Sequence, residues 1–315
     1  QGASVSASDF VAVSPPLLTS GMASSGLEEA GTHKERVVLR HCSGSTAEIL
    51  LWGATLVSYK TPDGKDRIFV SPGAVYDGKK AIRGGIPLVF PQFGQPDKAM
   101  PQHGVARISK WSVKEGSLKD GPEESTVVFS LSDSPESRAQ WDHAFTLEYT
   151  VALSAVSLTV TLTAINTGDA AFNFSFLLHT YLQIPEIADT TVHGLAGRAL
   201  VDKVAGGEAS REQDSEIKFP SFTDRIYIGE APGAKDVTVR CAGSPTFAVV
   251  SEARVAGEAK PCDMVIWNPY EEASPGDLPP PAFKNFVCVE PGLVNEMYEL
   301  APKAIAQLTQ KIIPM

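Results

Sequence analysis

A histidine and an arginine flank one glycine in PQHGVAR, residues 101–107, and a second arginine, Arg83, precedes the glycine pair of IRGGIP. Two guanidiniums reaching one pocket could hold a phosphate through charge-assisted, often bidentate hydrogen bonds, a geometry that lysine reproduces poorly. The competing reading is two loop arginines in surface salt bridges, and spacing alone does not choose between them. Another histidine, His179, lies in FNFSFLLHTYLQI, residues 172–184. Read as one strand, this segment places Phe172, Phe174, Phe176 and Leu178 on one face, with Asn173, Ser175, Leu177, His179, Tyr181 and Gln183 on the other. An imidazole there either sits in solvent, the commoner fate of a lone histidine, or lines a concave site where it exchanges protons near neutral pH. Glu290 ends KNFVCVE just before Pro-Gly, and period two groups it with Lys284, Phe286 and Cys288. A carboxylate among small hydrophobic neighbours can have a raised pKa and act as a base. Taken alone, it is more often an ordinary glutamate at a turn.

Other chemistries find less support. His103, His179 and Glu290 could be metal ligands, but the six histidines are dispersed and no H-x-H, H-E-x-x-H or C-x-x-C occurs. No Walker loop, no G-x-G-x-x-G after a strand and no G-x-S-x-G elbow is present, so neither a nucleotide cofactor nor a serine nucleophile is indicated. A net charge of −10 and a pI near 5.1 set the overall field against nucleic acid and anionic lipid. Any anionic ligand must therefore be held by a local cluster, which gives Arg83 and Arg107 more weight. Cys42, Cys241, Cys262 and Cys288 are too few and too scattered for a disulfide scaffold, which fits a reducing compartment. No apolar run approaches the ~18 residues of a membrane span.

These residues need rigid elements to position them, and the pattern from about residue 35 onward is mostly period two. In SLTVTLTAINTG, Leu158, Val160, Leu162 and Ala164 share one face, Thr159, Thr161 and Thr163 the other, and Asn-Thr-Gly ends the run. AEILLWGATLVSYKT reads as two strands broken at Gly53, and ESTVVFSLSD, HAFTLEYTVAL, VTVRCAG, TFAVVS, DMVIWNPY and FVCVEPG continue the series. The helices of ~10–15 residues that alternate with strands in parallel α/β folds are missing. The expectation is an all-β chain, a large antiparallel β-sandwich with few short helices, residues 35–315 forming one domain. Long loops are predicted at 61–110, 185–220 and 268–284. Residues 1–34 read as a flexible extension, Ser-, Ala- and Gly-rich and without Lys or Arg through residue 33. It matches neither an intact secretory signal nor an intact transit peptide. The expected setting is soluble and intracellular: the cytoplasm, or the plastid stroma if a leader upstream of Gln1 has been removed.

In their order along the chain, GATLVSYK, IRGGIPLVFPQFG, PQHGVAR, LLHTYLQI, VHGLAGRALVDK, FTDRIY, VIWNPY and VCVEPG resemble the glucose-6-phosphate 1-epimerases (hexose-6-phosphate mutarotases) of the aldose 1-epimerase family. The resemblance covers roughly residues 35–312. It implies a galactose-mutarotase-like sandwich whose concave face binds a sugar, with His179 and Glu290 as the catalytic pair. Arg83, Gln102, Arg107 and Asp224 fall on its substrate-binding positions. His103 is their neighbour, a candidate site residue without an assigned catalytic role. The implied reaction interconverts α and β anomers of a hexose 6-phosphate, glucose 6-phosphate first. Glu290 takes the O1 proton and His179 donates to O5 from the opposite side, without cofactor or metal. The only partner implied is the small-molecule substrate, acting on a monomer. The alternatives are an aldose 1-epimerase of free sugars and a sugar-phosphate-binding protein without catalysis.

Overall fold

The computed structural model describes residues 24–29, 31, 33–233 and 235–315. Three sheets carry the chain, and every strand pairing in them is antiparallel. A ten-stranded sheet is built on Glu124–Ser132, Phe145–Ser154, Leu158–Asn166, Ile305–Pro314, Ser244–Val255 and Lys235–Cys241. An eight-stranded sheet contains Thr223–Tyr227, Asp263–Asn268, Phe286–Leu300 and Phe172–Leu178 in that lateral order. A four-stranded sheet, Gly26–Glu28 with Arg36–Arg40, Thr46–Leu50 and Leu56–Lys60, completes the set.

Alternation explains the layering. Leu158, Val160, Leu162 and Ala164 are fully buried, while the threonines between them are half-buried on the other face. There the Thr161 and Thr309 hydroxyls meet across strands at 3.0 Å. The two larger sheets meet in one hydrophobic cluster, in which Phe129, Tyr149, Leu162 and Leu308 of one pack with Phe174, Phe176 and Val289 of the other. The single α-helix among the described residues, Pro135–Gln140, is a short surface turn with a Ser134–Ser137 capping box. No helix of the described residues is long and apolar enough to cross a membrane.

The structure departs from the sequence reading at four places. Within the predicted flexible extension, Gly26–Glu28 is a strand paired with Arg36–Val38, because Arg40 bonds Glu28 at 2.6 Å and fastens the segment to the sheet edge. Residues 1–23 of that extension lie outside the described residues. The segment 172–184 is two strands: a register shift lies between Phe174 and Phe176, and the strand is interrupted at His179–Thr180 before Tyr181–Gln183, with one register to Phe286–Leu300 kept across the interruption. The loop predicted at 185–220 holds four short strands, Thr190–His193, Ala199–Asp202, Ala209–Arg211 and Glu216–Ile217. Finally, Pro291-Gly292 is no turn. The strand runs on to Leu300, and Gly292 is required because a Cβ there would meet the Phe176 carbonyl at 2.7 Å.

Leu162, without exposure between the two sheets, tests the shared core. Leu162→Ala should lower the unfolding free energy by about 2–5 kcal/mol, read from a denaturant titration.

Candidate functional site

Strand register assembles the site on the face of the eight-stranded sheet turned away from the main core. Residues directly opposite in an antiparallel pair point to the same side. Asp224 pairs with Trp267, Trp267 with Cys288, and Cys288 with Tyr181, forming one row across four strands. Ile226, Val265 and Glu290 form the next row. The alternation of DMVIWN thus puts Val265 and Trp267 under the site while Met264 and Ile266 enter the core.

His179 is fixed at the break between its two strands. Its amide donates to the Pro87 carbonyl, and the next residue, Thr180, donates its hydroxyl to Gln310 Oε1 at 2.6 Å, linking the two large sheets beneath the ring. Gln310 in turn donates to the Val289 carbonyl, next to Glu290. The imidazole stacks on Tyr181, centroids 4.8 Å apart with planes at 9°, and meets Trp267 edge-on. At 9% exposure His179 is not on a solvated sheet face.

Glu290 is 1% exposed, and its Oε1 lies 3.3 Å from His179 Nδ1. The two atoms are close but not aligned for a hydrogen bond, so both Glu290 oxygens and His179 Nδ1 are buried without a partner. Burial, reinforced by the Arg107 and Arg83 cations, holds His179 well below its usual range. Burial, reinforced by the Asp224 carboxylate and opposed by Lys203 and Arg107, pushes Glu290 well above the usual carboxylate range. The two shifts run in opposite senses, so the environment favours the neutral form of both groups.

The two glycine-containing segments supply the opposite wall. A Cβ at Gly84, φ +110°, would meet the Phe69 carbonyl at 2.6 Å, so only glycine lets the chain after Arg83 lie against that strand. Arg83 Nε bonds Asp277 at 2.8 Å and its Nη1 reaches the Tyr181 hydroxyl at 3.4 Å. Burial opposes the charge of Arg83, but Tyr181 and Asp277 outweigh it and raise its pKa. Arg107 follows in a 3-10 turn, Ala106–Ile108, and donates to the Gln102 carbonyl. It makes no ion pair among the described residues. Burial, aided by Arg83, lowers it to about 10, which leaves it charged at neutral pH. His103, at φ +65°, accepts a hydrogen bond from the Gly94 amide on Nδ1. Burial, then the Arg107 cation, keeps the ring neutral, so Nε2 carries the hydrogen and is a donor.

All the residues singled out from the sequence, Arg83, Gln102, His103, Arg107, His179, Asp224 and Glu290, line one cavity of about 350 Å³. That is the size of a small-molecule site. Lys203, Trp267 and Phe93 line it too and were not anticipated. Lys203 stands 3.5 Å from Asp224 and 4.4 Å above the Phe93 ring. It ends VHGLAGRALVDK, a segment that matters to the resemblance, but one lysine within a predicted loop gives no signal of its own. Asp277, the partner of Arg83, comes from the loop at 268–284 and is invisible to periodicity. Burial raises the Asp224 carboxyl, with Lys203 opposing. Among the described residues, His179, Cys288 and Glu290 bring donor atoms within 4.8 Å of one another, a set that could hold a metal ion. Burial raises both Cys288 and Glu290 and so disfavours the deprotonated forms that a metal ion would need.

Sheet order, core and cavity together define a sandwich of the galactose-mutarotase type with a polar small-molecule site. The chain belongs to the aldose 1-epimerase family, whose model, described as "Aldose 1-epimerase", matches residues 35–312. It is an epimerase by that membership. A protein of Cenchrus ciliaris named "Putative glucose-6-phosphate 1-epimerase" is 33% identical over 276 residues, 85% of this chain and 81% of that one. One of the same name from Escherichia coli is 30% identical over 269 residues, 84% of this chain and 86% of that one. The crystal structure of a "putative mutarotase" from Salmonella typhimurium superposes with a TM-score of 0.77 at 25% identity, over 92% of this chain and 96% of that one.

Gly104 tests how the cavity wall is made. It sits at φ +73°, bridged to Phe90, and a Cβ would strike the Phe90 carbonyl. Gly104→Ala should cost about 1–3 kcal/mol of stability by thermal unfolding.

Proposed function

We propose that this protein interconverts the α and β anomers of a hexose 6-phosphate, glucose 6-phosphate foremost, by acid–base opening and closing of the ring. The observation that carries the reading is the bare, buried His179–Glu290 pair opening onto a cavity with two arginines. Mutarotation needs one proton taken from the C1 hydroxyl and one given to the ring oxygen, and the pair holds one proton in total. O1 and O5 are bonded to the same carbon, so groups 3.3 Å apart serve both, and an arrangement on opposite sides of the sugar is unnecessary.

In the reactive form the shared proton sits on His179 and Glu290 is ionised. Glu290 takes the O1 proton, His179 protonates O5, and the C1–O5 bond breaks to give the open aldehyde. Rotation about C1–C2 presents the other carbonyl face, and closure with reversed transfers gives the opposite anomer and restores the pair. Nothing is oxidised or reduced. Arg83 and Arg107 meet the phosphate charge, while Asp224, Gln102 and the His103 Nε2 hydrogen offer hydrogen bonds to sugar hydroxyls. The names of the Cenchrus ciliaris and Escherichia coli relatives support the same substrate.

Magnetisation-exchange NMR between the anomers, above the spontaneous rate, is the direct test. Exchange should be faster at equal concentration for glucose 6-phosphate than for glucose; parity, or a preference for glucose, selects an epimerase of free sugars. Arg107→Ala should cost about 1.5–3 kcal/mol in kcat/KM for glucose 6-phosphate, with a smaller loss for glucose. His179→Ala should abolish detectable catalysis while binding changes little; retained exchange would remove His179 from the mechanism.

The one-proton pair also sets a pH profile. Below the acid limb both groups are protonated and no base remains; above the alkaline limb both are deprotonated and no acid remains. Since His179 is shifted down and Glu290 up, kcat/KM should be bell-shaped. Its acid limb should fall below the ordinary histidine range near ~6.5 and its alkaline limb above the ordinary carboxylate range. An acid limb at the ordinary histidine value would contradict the pairing.

A further inference from the structure

A second cavity, about 270 Å³, adjoins the first and shares Arg83, Gln102 and Arg107 with it. Its lining brings Lys79, Lys80, Arg83 and Arg107 together with one carboxylate, Asp277, so four positive charges meet one negative for a net +3. The whole chain carries −10, so this is a local reversal of the protein's field. The charges are also unspent. Arg83 is neutralised by Asp277 at 2.8 Å, but neither lysine ammonium nor Arg107 has a carboxylate within 4.0 Å among the described residues.

The lysines stand on a backbone already held for this purpose. Asp77 Oδ1 accepts from the amides of both Lys79 and Lys80, at 2.8 and 3.1 Å, and Trp52 Nε1 donates to the Lys80 carbonyl at 2.7 Å. The Asp77 carboxylate is thereby occupied by the main chain, and both long side chains remain exposed at the cavity mouth.

We infer that Lys79 and Lys80, which share the second cavity with Arg83 and Arg107, are specificity-determining residues that complete the charge on the dianionic phosphoryl group those arginines meet. The inference rests on the acid–base reading above and adds an orientation to it. In a hexose 6-phosphate, C1 and C5 flank the ring oxygen, and the phosphate hangs from C5 through C6. With O5 at His179 and O1 at Glu290, C6 extends away from Glu290. Tyr181 stacks on His179 and lines the second cavity, and Arg83 bonds its hydroxyl. The path from the ring oxygen to the phosphate thus runs over Tyr181 and between Arg83 and Arg107 to the two lysines. Deeper in the first cavity Asp224 and Glu290 offset Lys203 and the arginines, so the positive excess is smaller there than among Lys79, Lys80, Arg83 and Arg107. Arg83 alone offers little net charge there, since Asp277 holds it, so a dianion is matched only when the lysines join Arg107.

The test uses the full chain and the paired replacement Lys79→Ala/Lys80→Ala, which alters exposed side chains only; an unchanged melting temperature confirms folding. Anomer exchange should show KM for glucose 6-phosphate raised about tenfold or more, with a smaller change in kcat, and a KM effect on glucose well below that. Titration with inorganic phosphate, followed by calorimetry, should show weakened binding in the same variant, and a steeper salt dependence in the parent protein than in the variant. Unchanged KM and phosphate affinity, or equal effects on both sugars, would overturn the assignment while leaving the acid–base reading intact. A parent protein that does not distinguish glucose 6-phosphate from glucose would overturn both this assignment and the choice of a phosphorylated substrate.

Discussion

Two titratable groups kept buried, adjacent and without a protein hydrogen-bond partner are the constraint on which the site depends. An unsatisfied buried polar atom costs about 1–3 kcal/mol, and His179 and Glu290 present three such atoms. Such a pair does not persist on a flexible loop, where water would enter or the side chains would turn to solvent. It persists here because both residues are set by strand register in a central part of the eight-stranded sheet, backed by a core of aromatic and aliphatic side chains from both large sheets. The Thr180–Gln310 hydrogen bond matters for the same reason. It satisfies the polar groups just beneath the imidazole and ties the break after His179 to the opposite sheet.

The same burial determines the electrostatics. His179 and Glu290 are shifted in opposite directions first by burial, and only secondarily by neighbouring charges. Arginines close to the pair would by themselves favour an ionised carboxylate, yet Asp277 occupies Arg83 and the Asp224–Lys203 pair lies nearer to Glu290's own row. The cavity therefore separates two tasks. In the proposed reaction proton chemistry belongs to the floor, where charge is disfavoured, and charge recognition to the rim, where Arg107 is held by a backbone carbonyl rather than by a carboxylate.

Much of this was legible from periodicity and the rest was not, for identifiable reasons. The strand at Leu158–Asn166 and the break at Gly53 follow from local alternation and turn chemistry, and both stand in the structure. His179 was placed on the right side of its strand relative to Tyr181, but its burial was missed, because a period-two pattern says which residues share a face and not what covers that face. Pro291-Gly292 looked like a turn because proline and glycine usually are; here the close approach of the Phe176 carbonyl, a tertiary contact 115 positions away from Pro291 in sequence, decides instead. Lys203 and Asp277 were unreadable because each has meaning only through a partner on another element, Asp224 and Arg83.

PQHGVAR shows how a short motif can be informative while its most conspicuous residue is not the proton carrier. His103 is committed to the Gly94 amide, Gly104 to close packing on Phe90, and Arg107 is turned by a one-turn helix back onto the Gln102 carbonyl. Each of these bonds is local to the segment or to the Phe90–Gly94 chain it lies against, so the whole unit docks as a rigid wall. A histidine whose Nδ1 is occupied and whose Nε2 bears hydrogen can orient a ligand oxygen but cannot accept a proton at either nitrogen. His179, whose Nδ1 has no hydrogen-bond partner and lies 3.3 Å from Glu290 Oε1, is placed for the role proposed for it. The division of labour between the two histidines therefore follows from hydrogen bonding around their rings, which residue identity and spacing do not reveal.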